Sequence, residues 1–253
     1  MKYMGSKSRI AKDIVPILQK CIDENNVDTY LECFCGGCNI IDKVKAKNRL
    51  ASDKNKYLIA LFKHLQEGNA LLSEVPRELY SEVRANYKKG IYEDWYVGNI
   101  GFLASYNGRW FDGGYAKAGY EKTKTGERYR DYYREASDNI KKQIDNLKDV
   151  ELKVADYRDI EPKSGSVIYC DPPYANTKEY ENSTKFDYDE FWEKMREWSK
   201  SCYVFISEEN APEDFLCIWE KSVSRSIKAG DKSKSTEKLF VYKDGLSNGK
   251  VGE

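Results

Sequence analysis

The apolar run Val167-Ile168-Tyr169-Cys170 ends directly in Asp171-Pro172-Pro173-Tyr174, and no other stretch limits the fold of this chain so tightly. Four apolar residues bounded by turn formers suit a strand buried inside a sheet. An acid at the carboxyl end of such a strand sits where open α/β sheets gather their ligand chemistry. The two prolines stiffen the turn that follows and carry no N–H of their own.

The same alternation of strand and helix patterns recurs along the chain. Ile10, Ile14, Ile17 and Leu18 fall at helical spacing over residues 6–22, with Ser6 or Ser8 as cap. Thr29 to Phe34 reads as a strand, Gly36-Gly37 as a turn, and Asn39 to Lys47 as a restarting helix, together the opening of a nucleotide-binding βαβ unit. Leu50 to Asp53 is a second strand ending in an acid, and Tyr57 to Leu72 aligns Leu58, Leu61, Phe62 and Leu65 on one helix face. Beyond residue 149, Val150 to Ala155, Ser166 to Cys170 and Cys202 to Ser207 read as strands. Asp156 follows the first of these. Tyr188 to Lys200 reads as a helix, and Ile218 to Ile227 with Lys238 to Tyr242 as a closing strand pair. The expected fold class is α/β, a doubly wound mixed sheet.

Residues 73–149 break the pattern, with aromatics, glycines and charges interleaved and neither period sustained until a helix from Asp131 to Leu147. They are expected to form an inserted, mostly helical subdomain. The catalytic domain is then 1–72 with 150–243, and 244–253 a flexible polar tail.

Composition narrows the class of protein. At 253 residues the chain can bury one sizeable α/β core with an embedded subdomain. Lys plus Arg and Asp plus Glu number 42 each, so any nucleic-acid surface must come from local clustering. No stretch has the length of a membrane span, and the charged start is not followed by the apolar core of a signal peptide, so the cytoplasm is expected. Seven cysteines, an odd number, suit reduced thiols. Cys33, Cys35 and Cys38 lack the second pair that a zinc site needs, and the single histidine, His64, stands far from them, so no metal is expected.

The tetrapeptide also has a specific chemistry. An exocyclic amine on a flat ring is a poor nucleophile because its lone pair is delocalised. Asp171 offers a carboxylate to its protons, Pro172 a backbone carbonyl, and Tyr174 a face on which the ring can stack. Upstream lie Lys2-Tyr3-Met4-Gly5-Ser6-Lys7, the loop Glu32-Cys33-Phe34-Cys35-Gly36-Gly37-Cys38 and Ser52-Asp53-Lys54-Asn55. Asp53 suits the hydroxyls of a ribose or the cap of the helix after it.

In this order the motifs resemble those of Dam-like DNA adenine-N6 methyltransferases, over most of the chain from Met1 to about Tyr242. The resemblance implies S-adenosylmethionine as cofactor, held by Tyr3, Lys7, Glu32, Phe34, Gly36, Asp53, Asp156 and Asp171, with helix capping as the other reading of Asp156. It implies catalysis by Asp171, Pro172 and Tyr174 on an adenine flipped out of double-stranded DNA. Tyr180 and Phe186 match the spaced aromatics of a loop closing over that base. Two positions depart from the pattern: Cys33 stands where proline is usual, and Cys38 replaces a second glycine whose freedom Gly37 is expected to supply.

Target recognition is expected from the insertion, through Asn107, Arg109, Trp110, Lys117, Lys122 and Lys124, with Arg128, Arg130 and Arg134 adding positive charge. RNA adenine-N6 or DNA cytosine-N4 methylation, or a DNA-binding relative with impaired catalysis, are the alternatives. A related family that modifies protein glutamine carries asparagine at the acid position, and Asp171 argues against it.

Overall fold

The computed structural model describes residues 1–123, 126–173, 186–224 and 234–247. A 3-10 turn, Lys7–Arg9, opens the chain, with the Ser6 hydroxyl accepting the Ser8 N–H at 3.2 Å. Helix α1 (Ala11–Glu24) follows and buries Ile14, Leu18 and Ile22 on one face. Next come β1 (Thr29–Cys33), β2 (Asn48–Asp53) and α2 (Lys56–Gln66), the last capped by Asn55, whose side chain accepts the N–H groups of Tyr57 and Leu58. The insertion carries α3 (Arg77–Asn86), α4 (Asp94–Gly98), a π-helical turn (Asn99–Leu103), the hairpin β3 (Gly119–Thr123) with β4 (Gly126–Arg130), and α5 (Tyr132–Ile144). The remaining elements are β5 (Val150–Val154), β6 (Val167–Cys170), α6 (Tyr188–Ser199), β7 (Tyr203–Glu208), β8 (Phe215–Ser224) and β9 (Lys234–Tyr242).

Seven of these strands form one sheet in the order β5-β2-β1-β6-β7-β9-β8. β1, β6 and β7 run parallel, whereas β9 is antiparallel to both β7 and β8. This is the mixed, mostly parallel α/β sheet that the strand and helix patterns predict. Every residue of β6 is buried, because the strand lies between two others in mid-sheet. Each such apolar side chain contributes about 1.5–3 kcal/mol by leaving water. No helix among the described residues is long and apolar enough to cross a membrane.

The chain divides into two compact units. One comprises 1–11, 36–43 and 52–155, the other 12–35, 44–51 and 156–253. The inserted segment shares the first unit with the N-terminal motif, the glycine turn and α2.

Three local expectations change. Residues 39–43 form turns and 44–47 are irregular, so no helix restarts there. Cys38 is left-handed (φ 53°), and the Gly37 and Cys38 carbonyls, which a helix starting there would use, accept instead from Gln143. Residues 119–123 and 126–130 pair as two antiparallel strands that no periodicity announces. Residues 246 and 247, expected in the polar tail, are bound to the sheet unit: the Leu246 N–H donates to the Ser199 carbonyl, and the buried Ser247 hydroxyl to that of Val204.

Candidate active site

In the first unit the glycine turn is shaped from three sides. The Gly36 N–H donates to Asp53 Oδ2 at 3.0 Å, while Asp53 Oδ1 accepts the Asn55 N–H at 2.8 Å. Tyr3 lies against the turn, so a Cβ on Gly36 would fall 2.7 Å from Tyr3 Cε1, and one on Gly37 would fall 2.9 Å from Tyr3 Cβ. Asn39 Nδ2 donates to the Met1 carbonyl and to Ser6 Oγ, at 3.1 and 2.9 Å, fastening the N-terminal segment to the turn. Lys7 is buried in that segment.

The two departures from the expected loop pattern resolve differently. Gly37 is not among the residues with positive φ, so it does not supply the missing freedom. Cys38 adopts the left-handed conformation itself, as do Phe34 (φ 58°) and Gly36 (φ 45°). Gly37 is glycine for closeness: a Cβ there would also fall 2.5 Å from Asn39 Nδ2. Cys33, where proline is usual, is fully buried on β1.

Asp53 does not cap α2, since Asn55 does. Burial pushes the Asp53 carboxyl above its ordinary value, and the N–H groups of Asn55 and Gly36 oppose that shift. A carboxylate has about four lone-pair directions, so two remain for further donors such as ribose hydroxyls.

In the second unit β1 and β6 pair in register, with Glu32 beside Tyr169 and Cys33 beside Cys170. Phe34 and Asp171 therefore start their loops from neighbouring strand ends. Glu32 is buried and accepts from the Tyr30 hydroxyl at 3.2 Å. The Tyr169 hydroxyl bonds to Ser207 Oγ at 2.7 Å, which fixes the strand beneath Asp171 to β7. Burial, followed by the nearby Asp171 charge, holds the Tyr169 hydroxyl protonated. Pro172 is buried, and the Tyr188 hydroxyl donates to the Pro173 carbonyl.

An aromatic cluster surrounds Phe34. Its ring lies 5.3 Å from Tyr157, 5.9 Å from Phe186 and 6.0 Å from Phe191, so Phe186 meets the glycine loop's own aromatic residue. Asp156 caps the turn Tyr157–Asp159 through the Arg158 N–H and takes the Arg158 guanidinium at 2.7 Å. Arg158 also reaches Glu190 at 3.1 Å. The capping reading of Asp156 is thus realised. Tyr174 and Tyr180 lie outside the described residues.

The candidate recognition residues separate by exposure. A bridge between Ser105 and Tyr115 closes the loop that holds Asn107 and Arg109. Both are exposed, Asn107 left-handed (φ 56°) and Arg109 3.0 Å from Asp112. Gly108 packs so tightly on the N-terminal segment that a Cβ would overlap the Lys2 carbonyl. Trp110 has a packing role: its ring stacks on Tyr57 at 5.3 Å and lies 4.6 Å from Phe102 and 4.9 Å from Phe111.

Lys117 and Lys122 are exposed, the latter on the hairpin, where Tyr120 and Tyr129 face each other 75% and 56% exposed. Arg130 is committed to Glu135 at 2.5 Å and Glu121 at 3.5 Å, so its charge adds little to the cluster expected around it. Lys124 lies outside the described residues. Among the described residues no group of three or more His, Cys, Asp and Glu side chains could hold a metal.

A family model of D12 class N6 adenine-specific DNA methyltransferases matches residues 3–210. The chain belongs to this family. It is 25% identical to the type II methyltransferase M.MjaIII of Methanocaldococcus jannaschii over 216 residues, covering 75% of this chain and 74% of that protein. A shorter stretch of 66 residues is 30% identical to the modification methylase StsI of Streptococcus sanguinis, covering 26% of this chain and 9% of that protein.

Family membership implies a methyl donor, and the residues present fit one. The glycine turn offers close-approach backbone, Asp53 retains acceptor capacity, and Lys7 is a buried cation. Sequence reasoning missed Gln143, which binds the glycine turn from α5. Its signal was a glutamine ending the helical stripe of Tyr133, Ala136 and Ile140, all buried.

Proposed function

We propose that the protein transfers a methyl group from S-adenosylmethionine to the N6 amine of adenine in double-stranded DNA, after the base is flipped from the helix. The observation that carries this reading is the β1–β6 register, from which the glycine loop and Asp171-Pro172 leave adjacent strand ends. Family membership supports adenine and DNA as the target.

S-adenosylmethionine supplies an already electrophilic sulfonium methyl when bound. What the chain must add is alignment and a usable lone pair. In this reading the Asp171 carboxylate and the Pro172 carbonyl each accept one N–H of the amine, drawing its nitrogen toward tetrahedral geometry. Asp171 receives the surplus proton after methyl transfer, since the amine itself is too weakly acidic to lose one first. Tyr174 stacks on the extruded base and offsets part of the lost stacking. Tyr3, Phe34 and the backbone at Gly36 hold the donor, Asp53 takes its ribose hydroxyls, and Lys7 neutralises its carboxylate. Glu32 and Asp156 complete the polar lining, Asp156 by exchanging Arg158 for a donor group.

The exposed residues Asn107, Arg109, Lys117 and Lys122, with Lys124, contact the duplex, and Trp110 supports their loop from within. Labelled donor incubated with plasmid tests the reading, with methylated positions mapped by sequencing. Transfer to adenine is expected, and Asp171→Ala should lower kcat by about a thousandfold while the fold persists. Full activity in that variant, or methylation of cytosine or RNA alone, would overturn it.

A further inference from the structure

Gln143 is almost fully buried in the last turn of α5, where the helical stripe otherwise presents apolar or small side chains. Its Nε2 donates to the Gly37 carbonyl at 3.0 Å, the Cys38 carbonyl at 2.8 Å and Asp42 Oδ2 at 3.1 Å. Its Oε1 accepts from the Met1 amino group. Two amide hydrogens thus serve three oxygens, so at least one bond is shared.

These contacts meet a backbone that would not hold its shape alone. Phe34, Gly36 and Cys38 all have positive φ, and two of them carry side chains that disfavour that region. Asp53 holds the turn by its Gly36 N–H, and Tyr3 lies along its face. Gln143 grips both carbonyls that follow. Removing the amide would take a donor from two carbonyls of buried residues, and a buried acceptor that loses its donor costs more than a typical hydrogen bond contributes.

The helix that delivers Gln143 begins where the hairpin ends. Arg130 closes β4, Asp131 caps α5, and Glu135 in the first turn binds Arg130 at 2.5 Å. Glu135 and Gln143 stand eight residues apart on one helix, about 12 Å along its axis. One rigid element therefore joins the exposed hairpin to the glycine turn.

We infer that Gln143 is a positioning residue for the methyl donor, setting donor affinity by fixing the Gly37 and Cys38 carbonyls and tying them to the helix that carries the hairpin. The inference rests on the reading of the glycine turn as donor-binding. It is distinct from a packing role, which an apolar side chain of similar volume would fill equally well.

Gln143→Leu and Gln143→Glu keep the volume and remove the donating amide. In the full chain, S-adenosylhomocysteine affinity is measured by calorimetry, duplex affinity without cofactor by fluorescence anisotropy, and exchange of the amides at 36–40 by mass spectrometry. Both variants should bind S-adenosylhomocysteine about tenfold more weakly and exchange those amides faster, with duplex affinity within about twofold of wild type. If Gln143→Leu fails to fold, Gln143→Glu decides. Wild-type binding with unchanged affinity in the folded variant overturns this inference alone. Absence of wild-type binding overturns the donor reading and this inference with it.

Discussion

Cys33 and Cys170 stand opposite one another on β1 and β6, each one residue before the loop that its strand delivers. Burial, then hydrogen bonding and proximity to Cys33, push the Cys170 thiol well above its ordinary value. A protonated, enclosed thiol is a small apolar side chain rather than a nucleophile. The pair therefore serves as packing beneath the site, and Cys33 is accommodated because its neighbour is equally small.

Thiol reactivity follows from that burial. Cys217 is exposed, and Cys21, Cys33, Cys35, Cys38, Cys170 and Cys202 are buried. A charged aromatic disulfide reagent should modify one thiol rapidly in the native protein and the rest only in denaturant. Cys217→Ser should abolish the fast phase, whereas a second fast thiol would contradict the burial described.

The left-handed Cys38 gives a conformational prediction. Cys38→Gly removes a steric penalty and should retain donor binding, whereas Cys38→Val, similar in size but β-branched, should cost about 1–2 kcal/mol and weaken it. Denaturant melts and calorimetry on both variants separate the two effects. Equal behaviour would mean that φ at this position does not matter.

Trp110 and Arg109 are sequence neighbours with opposite roles. Trp110→Ala should destabilise the protein by about 3 kcal/mol through the cavity left among Tyr57, Phe102 and Phe111. Arg109→Ala should leave the melting temperature unchanged and weaken duplex binding by roughly threefold to tenfold, with a shallower salt dependence. Equal loss of stability in both would remove Arg109 from the DNA-facing set.

Arg130 gives the acid limb of stability a specific source. Its hydrogen bond and charge hold the Glu135 carboxyl at about 2, below its ordinary 4.5. The folded state thus binds fewer protons than the unfolded chain between those values. The contribution is complete above pH 4.5 and fades as pH falls through about 2. Glu135→Gln should lose less stability than wild type on acidification across that window, by about 2 °C in melting temperature once solvent screening is allowed for.

Much of the fold is legible in the sequence because strands such as β2 and β6 run directly into acids and its helices carry clear stripes. β6 with Asp171 and α2 with Leu58, Leu61 and Phe62 follow directly from those patterns. The glycine turn is legible as a motif but not as a path, since Phe34 and Cys38 take conformations that their side chains disfavour and only tertiary contacts enforce. The hairpin escapes because Tyr120, Lys122, Arg128 and Tyr129 all face solvent, so neither face alternates. Trp110 misleads because tryptophan beside arginine suits a nucleic-acid surface as well as it suits an aromatic core.

The chain's single histidine, His64, lies flat on Trp95 with ring centroids 3.7 Å apart. Its Nε2 meets the Ala70 carbonyl at 2.9 Å, and a carbonyl only accepts, so Nε2 carries the hydrogen. One imidazole in 253 residues means one set of imidazole resonances, ring-current shifted by the indole beneath it. The molecule thus contains a native spectroscopic reporter on the contact between α2 and α4, readable without a label, through which loosening of that contact can be followed.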